Sequence, residues 1–124
     1  MHKSRLGALI IDCRTEDLGR EAEFWSAALG GVAAEPDQGG RFIEIRGDPA
    51  EPHVLLQQVD HPSRVHIDIE SDDIEAEVRR LEALGASVVE KMERWTVMEA
   101  PTGHRFCIIG PRRDGFESAA NSWE

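Results

Sequence analysis

Val65-His66-Ile67-Asp68-Ile69-Glu70-Ser71-Asp72-Asp73 (VHIDIESDD) changes its period partway along. Up to Ser71 it alternates strictly, with His66, Asp68 and Glu70 on one side and Ile67 and Ile69 on the other, the pattern of a strand with one apolar face. Ser71 or Asp72 then caps a helix, DDIEAEVRRLEALG, whose buried stripe is Ile74, Val78, Leu81 and Leu84. Three strand candidates follow, ASVVEKM, RWTVMEA and HRFCIIG, the last two joined by the turn Pro101-Thr102-Gly103.

The residues before Val65 run in the same order. LGALIIDC is a short apolar, branched strand, and DLGREAEFWSAALGG places Leu18, Ala22, Trp25 and Leu29 at helical spacing before the stop at Gly30-Gly31. GVAAE, RFIEIRG and HVLLQQV are then strands separated by PDQGG and GDPAEP. Ala28-Leu29-Gly30 matches Ala83-Leu84-Gly85, and ALIIDC matches HIDIES. The chain therefore reads as an α+β fold of tandem βαβββ units, the first over about residues 5–60 and the second over about 64–110. Residues 111–124 form a C-terminal extension, which Phe116 and Trp123 pack onto the body of the protein or onto a partner subunit.

A chain of 124 residues can bury a core without disulfides. Cys13 and Cys107 both lie in apolar runs and read as buried free thiols, which suits the reducing cytoplasm. No segment has the form of a signal peptide or of a membrane span, so neither secretion nor a membrane partner is expected. The formal net charge of -10, with basic residues scattered among acidic ones, leaves no footprint for a nucleic acid partner.

Four stretches in this order, FWSAALGG (24–31), VHIDIESDD (65–73), LEALGA (81–86) and WTVMEAPTGHRFCII (95–109), resemble the vicinal oxygen chelate superfamily. That superfamily includes glyoxalase I, bleomycin-resistance proteins and extradiol dioxygenases, and the closest likeness is to its small glyoxalase-like domains. The resemblance spans Leu6 to Gly110 and implies two half-barrels around a cleft, commonly in a homodimer. In metal-using members it implies four ligands, one near the start of each unit's first strand and one in each unit's last strand. His66 matches one such position. The first-unit counterpart is Ala8 or Ile10, neither of which can bind a metal. In the last strands the positions fall on Cys107 and on Leu56 or Gln57. His66 and Gln57 are thus the candidate metal ligands, with Cys107 read as a protonated, buried thiol. His53, His61 and His104 adjoin Pro52, Pro62 and Gly103 and read as surface turn residues.

The side chains expected to line the cleft follow from strand alternation. His66, Glu44 and Glu99 are the candidate acid–base groups, Glu99 being placed near His66. Phe42, Gln57, Asp68, Trp95, Met98 and Cys107 are the candidate substrate-binding residues, with Trp95 and Met98 suited to an apolar or aromatic molecule. Trp25, on the helix stripe, is expected in the core. The function expected is binding of a small organic molecule without a complete metal site or other cofactor. One alternative is a divalent-metal-dependent lyase, isomerase or dioxygenase in which His66 works with Gln57, Glu44 or Cys107. Another is a drug-sequestering resistance protein. Whether the protein is an enzyme is left open at this level.

Overall fold

The computed structural model describes residues 1–124, and the chain divides into two compact units. Strand β1 (His2–Arg14) contributes to both. One unit, Ala8–Val65, holds the second part of β1, helix α1 (Leu18–Leu29), β2 (Val32–Ala33), β3 (Phe42–Arg46) and β4 (His53–Val59). The other joins Met1–Gly7 to His66–Glu124. It holds most of β5 (Arg64–Ser71), then α2 (Ile74–Ala83), β6 (Ser87–Lys91), β7 (Trp95–Glu99), β8 (Arg105–Ile109), α3 (Phe116–Ala119) and β9 (Asn121–Trp123). The α+β class and the repeated βαβββ order are those read from the sequence.

Within Ala8–Val65 the strand order is β2-β3-β4-β1, antiparallel until the parallel pairing of β4 with β1, where Ala8 faces His53 and Asp12 faces Gln57. Asp17 caps α1 by accepting the Arg20 amide at 3.1 Å, and Gly30, in the left-handed region at φ 73, ends it. The core consists of Cys13, Leu18, Ala22, Ile43, Ile45 and Leu56, with Ile11, Trp25 and Val54 packed against it. Trp25 is thus a core-edge residue. Burial of the Cys13 thiol, followed by the nearby carboxylates of Glu21 and Asp12, pushes its pKa up. The strand expected over GVAAE shrinks to an exposed two-residue edge at Val32–Ala33.

In the other unit β5 and β8 run parallel, and β7 and β6 continue antiparallel. The cap of α2 is Asp73, accepting the Ala76 amide at 3.0 Å, one residue beyond the expected positions. Ile74, Val78 and Leu81 pack with Ile69 on Met98, Phe106 and Ile108. Leu84, expected in that stripe, is exposed because the helix ends before it and Leu84 is the cap.

The first strand begins four residues before Leu6, among polar residues that show no apolar run. Its first residues pair antiparallel with β9, His2 with Trp123 and Ser4 with Asn121. Trp123 donates its indole N–H to Ser4 Oγ at 2.8 Å, and the Arg80 guanidinium stacks 3.8 Å from its ring centroid. The wholly buried Glu77 accepts from His2 and Arg80, each at 2.8 Å. Burial alone would raise its pKa, but hydrogen bonds from Arg80, His2 and Ser4 hold the carboxyl below its ordinary value.

Glu70 is also wholly buried and is held similarly. It accepts from Arg5 Nε at 2.8 Å and from the backbone amides of Arg112 and Arg113 at 2.7 and 2.8 Å. Burial pushes its pKa up, and these partners more than reverse the effect. Gly7 lies directly against it, where a Cβ would overlap Glu70 Cγ. The tail is therefore built into this unit by Glu70, by buried Phe116 and by β9.

Candidate functional site

The alternation of β5 sends Ile69 to the α2 side and His66, Asp68 and Glu70 to the other face. Partnering in the parallel ladder sets Asp68 opposite Cys107 and Ile69 opposite Ile108. Cys107 therefore shares the face of Asp68, while its neighbours Phe106 and Ile108 enter the core. The result is a patch in which one donor atom each from His66, Asp68 and Cys107 lies within 4.8 Å of the others. His66 Nε2 stands 3.6 Å from Asp68 Oδ1, an ion-pair separation rather than a hydrogen bond. The two side chains are only 14% and 15% exposed, so the patch is recessed but open to a ligand. Cys107 is only partly buried, where a buried thiol was expected.

The flanking strand β7 sorts the remaining candidates of this unit. Trp95, Val97 and Glu99 face Ile109, Cys107 and Arg105 across the ladder, so they lie on the face of the patch. Met98 does not. It is fully buried in the core beside Phe106, so its expected place as a ligand-contacting residue is corrected to packing, since it has the opposite parity to Trp95. Glu99 pairs with Arg105 at 3.1 Å. Because β8 lies between β7 and β5, Glu99 is two strand spacings, roughly 9–10 Å, from the His66 strand.

The other candidates belong to Ala8–Val65. Phe42 and Gln57 are ladder partners, and Gln57 also pairs with Asp12. Glu44 sits between two nitrogen-bearing side chains, with Arg46 Nε at 3.3 Å and His53 Nδ1 at 3.6 Å. His53 is thus the first residue of β4 and not the turn residue expected. Its part was legible in principle, since a β3–β4 hairpin places it diagonally from Glu44. Asp12, buried within the apolar run ALIIDC and 3.7 Å from Arg64, was also passed over.

The four-ligand metal set implied by the resemblance does not fit this chain. Ala8, Ile10 and Leu56 are buried apolar residues with no donor atom, and Leu56 lies in the core. What the residues offer is a smaller set of one imidazole, one carboxylate and one thiol.

The sequence profile of the family described as "Glyoxalase-like domain" matches residues 8–109. No curated protein matches the chain. Among solved structures, a hypothetical protein from Bacillus halodurans is similar at TM-score 0.66 and 12% identity, with 90% of this chain and 97% of that chain covered. Methylmalonyl-CoA epimerase from Mycobacterium tuberculosis is similar at TM-score 0.62 and 16% identity, covering 86% of this chain and 87% of that chain. A glyoxalase/bleomycin resistance protein/dioxygenase superfamily member from Vibrio splendidus gives 0.57 and 17%, covering 87% and 99%. At such identities the likeness is one of fold, and fold leaves the reaction open.

Proposed function

We propose, from the premise that this chain belongs to the glyoxalase-like domain family, that it binds a small organic molecule against His66, Asp68 and Cys107. The observation that carries this reading is the convergence of those three polar side chains, within 4.8 Å, on one face of a rigid strand pair. His66, with Asp68 beside its ring, serves as a hydrogen-bond donor to a carbonyl or carboxylate oxygen. Trp95 and Val97, on the same face, give the ligand's apolar part a wall. The test is amide-shift mapping by NMR with phenylglyoxylate, an aromatic 2-oxo acid, on the parent protein and on His66→Ala. Saturable shifts at Asp68 and Cys107 that vanish in the variant support the reading, and shifts that persist in His66→Ala sink it.

A second reading is favoured by the composition of the patch. One nitrogen, one oxygen and one sulfur donor suit a thiophilic divalent ion such as Zn²⁺, which would polarise a ligand carbonyl. Cobalt(II) titration separates the two, because a thiolate–cobalt charge-transfer band that is absent from Cys107→Ser identifies a metal site.

Two free cysteines suit a reducing compartment, and the protein is proposed to act in the cytoplasm. No helix is long and apolar enough to cross a membrane. It is also proposed to work as a homodimer, since β2 and β6 are edge strands and β6 exposes Val88 and Val89. Sedimentation showing a monomer at high micromolar concentration would remove the homodimer from this reading.

A further inference from the structure

Ala8–Val65 contains a cavity of about 560 Å³, within the roughly 300–1,000 Å³ of small-molecule sites, and none of its lining belongs to the His66 patch. Its walls are Leu9, Ile11, Trp25, Val54 and Val65, with Leu29 at the end of α1. Ile11, Trp25 and Val54 continue the core apolar face, so the cavity lies on the α1 side of this sheet, where the helix has stopped. Gly30 turns the chain away, and Gly31 is pressed against the Arg46 carbonyl, where a Cβ would come within 2.7 Å of the oxygen. Leu9, Leu29 and Val65 around this space are exposed.

The polar rim restricts what can enter. Glu44 is held by Arg46 and His53, so it offers no bare carboxylate to a cation. Asp48 and Glu51 are also engaged, Asp48 by the Ala50 amide at 2.9 Å. With three carboxylates against one arginine, an anionic ligand is repelled.

The geometry points to a second ligand site, one that takes an uncharged aromatic or aliphatic molecule, its body between Trp25 and Val65. The site stands apart from the reading given for His66, and failure of either leaves the other intact.

Three naphthyl probes of similar size test it, 2-acetylnaphthalene, 2-naphthoate and 2-naphthylmethylammonium, each titrated against the full chain with methyl NMR as readout. The ketone is expected to shift Leu9, Val54 and Val65 saturably, with the two charged probes weaker by about tenfold or more. Leu29→Trp, filling the cavity from an exposed position, should weaken the ketone by about tenfold. His66→Ala should leave its affinity unchanged. The proposal is overturned by absence of saturable shifts in the parent, by tighter binding of either charged probe, by loss of binding in His66→Ala, or by unaltered affinity in a folded Leu29→Trp.

Discussion

Asp68 and Cys107 are Cα partners in the parallel ladder between β5 and β8, and His66 is two residues before Asp68 on the same face. Ladder geometry alone thus fixes the relation of the thiol to the carboxylate and imidazole. The patch does not depend on loop conformation, so single substitutions in it report on ligand contacts and not on local folding.

His66→Ala is expected to cost no more than about 1–2 kcal/mol of stability, the worth of a hydrogen bond or two, while removing ligand binding. Urea unfolding alongside a binding titration checks this. Collapse of the variant with ligand affinity intact in its folded fraction would assign His66 a structural role.

Thiol alkylation should distinguish the two cysteines. Cys13 is 7% exposed, and burial with Glu21 and Asp12 raises its pKa, whereas Cys107 is only partly buried. At mildly alkaline pH, iodoacetamide should label Cys107 well before Cys13, as read by peptide mass spectrometry. Equal rates in the native protein would mean that the first-unit core opens freely.

Gly7→Ala should destabilise the protein by about 1–3 kcal/mol, because the new methyl meets a Glu70 side chain fixed by Arg5 and two amides. Gly47→Ala, with open space around it, is the control and should be near neutral. Comparable denaturation midpoints for the two variants would contradict the close packing at Gly7.

Glu77 sets an acid dependence. Its carboxyl is held low by Arg80, His2 and Ser4 against the effect of burial, so its contribution is present above the ordinary carboxylate pKa, about 4.3, and is lost as pH falls through the lower folded-state value. The stability gap between the parent and Glu77→Gln should therefore be widest near neutrality and narrow on acidification below about pH 4.5. A gap that holds constant or widens in acid would show that the folded carboxyl is not depressed.

The repeat was legible because both halves carry the same change of period, from alternation in ALIIDC and HIDIES to helical spacing in the segments that follow. The patch was half legible. His66 and Asp68 share a strand face by parity, but the place of Cys107 depends on which residues partner across β5 and β8, and one strand's sequence does not state its register. Met98 shows the converse error, where an apolar residue beside Trp95 was given the wrong face. The polar start of β1 was hidden for another reason. His2 and Ser4 are buried by Trp123 and Glu77, far away in sequence, so no local apolar pattern marks that strand.

The pairing of β9 with the start of β1 bears on the order in which the structure forms. Ala8–Val65 is continuous in sequence, and even its widest pairing, Ala8 with His53, closes a far shorter loop than His2 with Trp123, so its ladders can close early. The other unit needs His2 to find Trp123. The entropic cost of so long a loop grows only logarithmically, but closure has to await a compact β5–β8 sheet that can hold Arg5 and the tail on Glu70. The buried carboxylate Glu70 would then gain its partners last, and its acid sensitivity would appear mainly in the unfolding rate.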